Sequence, residues 1–128
     1  MTWDDPRRLP DDYLNSDAAR DAVTALVTLL RDDFAAKPLW GVKDPRMCRF
    51  VPLWREVFDA LNARPGYVLL LRHPLEIVRS LHQRDHMTQS RGLLLWLRHM
   101  LEAEAASRGA ARILLRYDDL MGDWKSVA

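Results

Sequence analysis

The run Tyr67-Val68-Leu69-Leu70-Leu71, set between Pro65-Gly66 and Arg72-His73-Pro74, constrains this chain more than any other stretch. Five consecutive apolar residues between turn signals read as a strand buried on both faces, and such strands belong to parallel sheets. Pro74 then suits the first position of a helix, with Leu75, Ile77, Val78 and Leu81 directed inward. A parallel neighbour needs a crossover of a dozen residues or more, so further helices and strands must follow.

They are visible on both sides. Ser16 is a good N-cap, and Ala22, Val23, Leu26, Val27, Leu30 and Phe34 recur at helical steps towards about Ala36, so a helix is expected from Ser16 to there. Leu39 to Val42 reads as a short strand broken at Lys43-Asp44-Pro45, and Pro52 as the first turn of a second helix bearing Leu53, Trp54, Val57, Phe58 and Leu61. After the third helix a fourth spans roughly Ser90 to Ser107 and stops before Gly109. Arg112 to Tyr117 forms the last strand, and Asp118-Asp119 can cap a short segment towards Trp124. Residues 1–15 read as irregular, and Trp3 there needs a surface to pack on, such as an upstream unit or a second chain. The alternation predicts an α/β fold in one domain, residues 1–128, with a three-stranded parallel sheet covered on both faces.

Several functions are excluded by what the chain lacks. No apolar run approaches the roughly 18 residues of a membrane span, and the acidic start resembles no export signal. With a single cysteine, Cys48, these features point to a reducing cytoplasm. His82 and His86 stand four apart without a third placed ligand, so they read as a polar face and no metal is expected. Glu102 and Glu104, two apart, read as solvated. Sixteen of the nineteen basic residues are Arg, whose planar fork suits phosphate and sulfate oxygens. Residues 1–36 carry a net charge of −4 (four Arg, eight Asp) and residues 37–128 one of +5 (fifteen basic, ten acidic), which places anion binding in the latter. A total of +1 argues against a nucleic-acid-coating surface.

Ligands of parallel sheets sit beyond the carboxyl ends of the strands. Lys43-Asp44-Pro45-Arg46, Arg72-His73-Pro74 and Tyr117-Asp118-Asp119 occupy those places. Arg72 beside a helix N-terminus makes a candidate phosphate pocket, with the Ser80 hydroxyl two turns on. The same residues admit a plain structural role, with Arg72 paired to Glu76 and Ser80 at a helix contact. His73 reads as a loop residue within reach of phosphate.

The stretch LRHPLEIVRS (Leu71–Ser80), with WGVKDPR (Trp40–Arg46) upstream and GLLLWLRHMLEAE and RYDDL downstream, resembles the bacterial branch of the PAPS-dependent sulfotransferases. The resemblance implies a partial three-layer parallel sheet of the P-loop nucleotide-binding type and transfer of a sulfonate from PAPS (3′-phosphoadenosine 5′-phosphosulfate) to a hydroxyl or amine acceptor. It assigns Arg72 and Ser80 to the 3′-phosphate of the donor, Tyr117 to its adenine and Lys43 to the sulfonate in flight. It also implies a departure. The family's Gly- and Ser/Thr-containing loop for the 5′-phosphosulfate lies upstream of everything matched, the usual general base comes from that same region, and the widely spaced glycines here write no such loop. The expectation is therefore the C-terminal part of a sulfotransferase domain, with a second copy of the chain covering an open sheet edge. The competing expectation is a non-catalytic remnant or partner-binding module of the same fold.

Overall fold

The computed structural model describes residues 3–34 and 36–127. Met1 and Thr2 of the expected irregular stretch, Ala35 near the expected end of the first helix, and Ala128 lie outside the described residues. The chain forms two units: Arg8–Pro65, and Gly66–Ala128 together with Met1–Arg7.

In the first unit a 3-10 turn at Tyr13–Asn15 leads into α1 (Asp17–Phe34), and α2 follows at Met47–Ala60. Ser16 caps α1 as its sequence position predicts: the Ala19 N–H donates to Ser16 Oγ at 3.2 Å. The facing stripes bury Ala19, Leu30, Leu53, Trp54, Val57 and Phe58. Helix α2 starts ahead of Pro52 and kinks at Phe50 (φ −111°, ψ 19°), because proline has no N–H for the preceding turn and its ring crowds the carbonyl four residues back.

The strand expected at Leu39–Val42 is absent. Its period-two pattern is real, since Trp40 and Val42 pack on the helical core and Leu39 is exposed, but no strand lies beside it among the described residues. Aromatic packing takes over its apolar residues. Trp40 stacks on Phe34 with ring centroids 5.5 Å apart and meets Phe58 at 6.1 Å.

The second unit holds β1 (Tyr67–Leu71), α3 (Pro74–Asp85), α4 (Gln89–Ala106), β2 (Arg112–Arg116), α5 (Tyr117–Gly122) and α6 (Trp124–Val127). The strands pair in parallel, with Tyr67 opposite Arg112 and Leu71 opposite Arg116. The protein is thus mixed α/β as expected, with a parallel pair in place of three strands. Burial on both faces is not met either: Val68 is 65% and Leu114 63% exposed. Helices α3 and α4 pack closely at Gly92, where an added Cβ would stand 3.1 Å from Val78 Cγ2. Three arginines hold the N-terminal residues of this unit. Arg91 pairs with Asp4 at 2.7 Å, Arg98 donates to the Pro6 carbonyl at 3.1 Å, and the Arg84 guanidinium covers the Trp3 ring at 5.3 Å. Trp3 therefore finds a contact within its own chain. No helix among the described residues is long and apolar enough to cross a membrane.

Candidate anion and ring-binding site at the strand ends

The register of the sheet sets what can meet beyond it. Because Leu71 lies opposite Arg116, the next residues, Arg72 and Tyr117, leave the two strands side by side. The Arg72 guanidinium sits 4.7 Å from the Tyr117 ring centroid, within range of a cation–π contact. Its Nε–H donates to Glu76 Oε2 at 2.9 Å across one turn of α3. That bond, more than any other contact, raises the Arg72 pKa, with Tyr117 and Asp118 adding to it, so the side chain is a permanent cation. With Nε held by Glu76 and one face on Tyr117, the outer N–H groups of the fork remain for an anion.

The N-terminus of α3 contributes less than its sequence suggests. His73 is the N-cap, and its Nδ1 accepts from the Leu75 N–H at 3.3 Å. The His73 carbonyl accepts from the Glu76 N–H at 3.1 Å, and Pro74 has no N–H to give. The first-turn donors are thus largely engaged, and the helix offers an anion its dipole more than free N–H groups.

Ser80 follows Glu76 by four residues, on the same side of α3 about 6 Å further along the axis. It is exposed, not packed at a helix contact, and makes no hydrogen bond with Arg72 or Tyr117. A shallow cleft of about 440 Å³ lies on another side of α3, lined by Leu75, Val78, Arg79, His82, Thr88 and Gln89. The structure therefore brings together Arg72 and Tyr117, with Ser80 one turn beyond Glu76. Lys43 is exposed and belongs to the unit Arg8–Pro65, on the loop before α2. Its neighbour Asp44 accepts from Arg46 Nε at 2.8 Å and from the Arg46 N–H at 2.8 Å, which lowers the carboxyl pKa to about 2.

Glu76 as the partner of Arg72 is signalled by the four-residue spacing, and the Arg72–Tyr117 contact by their equivalent positions after the two strands. Glu104 departs from the solvated reading: it receives Arg108 at 2.7 Å and Arg112 at 3.3 Å, and its pKa is lowered chiefly by the bond from Arg108. His82 contacts the Met87 carbonyl through Nδ1 at 3.0 Å, and His86 closes α3 in the left-handed conformation (φ 54°). No group of three potential metal ligands occurs among the described residues.

Comparison with protein-family models, with characterised proteins and with solved structures finds no match.

Proposed function

We propose that the edge formed by Arg72, Glu76, Ser80 and Tyr117 holds the nucleotide half of PAPS, and that the chain serves sulfonate transfer to a hydroxyl or amine acceptor within a P-loop-type sulfotransferase fold. One observation carries the reading: at the carboxyl ends of a parallel strand pair, a permanent cation lies against an aromatic ring. In this reading Arg72 and Ser80 receive the 3′-phosphate, and Tyr117 offers its remaining surface to the adenine. In the transfer the sulfur breaks its bond to the bridging oxygen of the donor and bonds to the acceptor heteroatom. Adenosine 3′,5′-bisphosphate leaves, and the acceptor proton passes to a base. Little covalent help is needed; position and positive charge do most of the work.

The test is ligand-dependent melting. Adenosine 3′,5′-bisphosphate at a hundredfold excess over its Kd stabilises the chain by about 2.7 kcal/mol, and Arg72→Ala removes that rise. Equal stabilisation by adenosine 5′-monophosphate shows the 3′-phosphate assignment to be wrong. A second reading, a partner-binding module of the same fold without turnover, is favoured by the exposed apolar residues of the sheet, Val68 and Leu114. Sulfonate transfer by the 128-residue chain itself excludes it.

A further inference from the structure

One side of α3 takes no part in the strand-end site. Leu75, Val78, Arg79 and His82 follow one another at steps of three, one and three, which sets them on a single side of the helix. With Thr88 and Gln89 at the start of α4 they line the cleft of about 440 Å³, a volume in the range of small-molecule sites. The cleft is held in shape by a tie between its two walls. The His82 Nδ1–H donates to the Met87 carbonyl at 3.0 Å, which fastens the residue before Thr88 back onto α3. Val78, buried against Gly92, and Leu75, 48% exposed, form the apolar part of the lining.

The charge at this cleft is the one that the unit leaves unmatched. Every other arginine of the unit stands 3.9 Å or less from a carboxylate oxygen. Arg79 has no carboxylate partner among the described residues: Glu76, the acid nearest to it in sequence, is bonded to Arg72, and Asp85 to Arg84. No acidic residue is found among the described residues that line the cleft. The Thr88 hydroxyl makes no capping bond to the first turn of α4, so it stands as a further donor beside the cleft. We propose that this cleft is a second ligand site, separate from the strand ends, and that it takes a small organic carboxylate with an apolar body. The Arg79 fork receives the carboxylate, the Thr88 hydroxyl adds a donor, and the apolar body lies on Leu75 and Val78. A single permanent cation balances one negative charge, which favours a carboxylate over a doubly charged phosphate.

Backbone amide NMR shifts of the full chain, followed through a titration with 3-phenylpropionate, test this. The largest shifts are expected at Arg79, Thr88 and Gln89, with Arg72 and Tyr117 unmoved. Saturation at about millimolar concentration is the scale for a probe of about eleven non-hydrogen atoms in an open cleft. Two analogues divide the roles: 3-phenylpropionamide keeps the ring without the charge, and acetate keeps the charge without the ring. Each should bind about tenfold more weakly, as the loss of a charge-assisted hydrogen bond or of the apolar contact implies. Arg79→Gln weakens the carboxylate by a similar factor and leaves the amide unchanged, and Arg79→Lys retains part of the affinity. A chain whose amides do not respond overturns the proposal, as do shifts centred on Arg72 and Tyr117. So does either analogue binding as tightly as 3-phenylpropionate, or an Arg79→Gln variant that binds it as well as the wild-type chain.

Discussion

The two units treat equally apolar sequence in opposite ways. In Arg8–Pro65 the helices bury Trp54, Val57 and Phe58 among one another and add Phe34 and Trp40 as a stacked aromatic lid. In the sheet-bearing unit the more apolar run Tyr67–Leu71 and its partner strand leave Val68, Ile113 and Leu114 open, and α4 leaves a row of leucines. The difference lies in periodicity. A helix with apolar residues at steps of three and four closes on a second such helix, and two elements complete the core. A strand apolar at every position has two faces to cover, and here the described elements leave much of that surface open. The partly closed unit also carries the Arg72 cation at its strand ends.

Substitution of the two kinds of apolar residue tests this contrast most strongly. Phe58→Ala is expected to lower the unfolding free energy by about 3–5 kcal/mol in a denaturant titration, the range for emptied aromatic core sites. Leu114→Ala is expected to change it by less than about 0.5 kcal/mol, as open surface sites do. Comparable losses at both would erase the distinction. Within the sheet-bearing unit the helix–helix contact is its tight point. Gly92→Val drives a branched side chain into Val78 and should cost about 1–3 kcal/mol, read from the same titration; a neutral result would mean that α3 and α4 pack loosely.

The smallest effect belongs to the first unit and concerns pH. Asp44, held by Arg46, has its pKa lowered to about 2 from the ordinary 3.8. A depressed folded-state value means that its contribution is present above about pH 4 and fades as the pH falls towards 2. The pair is partly exposed, so the contribution is at most about 1 kcal/mol. Asp44→Asn should therefore lower Tm slightly at pH 7 and leave it unchanged near pH 2; a gap that persists at pH 2 would show that the carboxylate charge is not its source.

Much of this fold is legible wherever a residue acts through its own neighbours. Ser16 caps α1, Pro74 opens α3, and helical spacing places both faces of α1 and α2. What depends on a partner is not legible in the same way. Leu39–Val42 has the alternation of a strand and no strand beside it, so Trp40 joins the aromatic core instead. The apolar run of β1 announces burial that the described elements only partly supply. At the site, Arg72 and Tyr117 both stand after strands in the sequence, but their meeting depends on those two strands being neighbours with Leu71 opposite Arg116. The engagement of the first-turn N–H groups by His73 depends on its side-chain rotamer, which no spacing encodes.

The central claim is that Arg72 and Tyr117 act together as one ligand platform. Calorimetric titration of adenosine 3′,5′-bisphosphate into the wild-type chain, Arg72→Ala, Tyr117→Leu and the double variant measures it directly. Residues in contact that share a ligand couple by about 0.5–3 kcal/mol, so the double variant should lose clearly less affinity than the sum of the single losses. Losses that simply add, or a wild-type chain that does not bind the nucleotide, would contradict it.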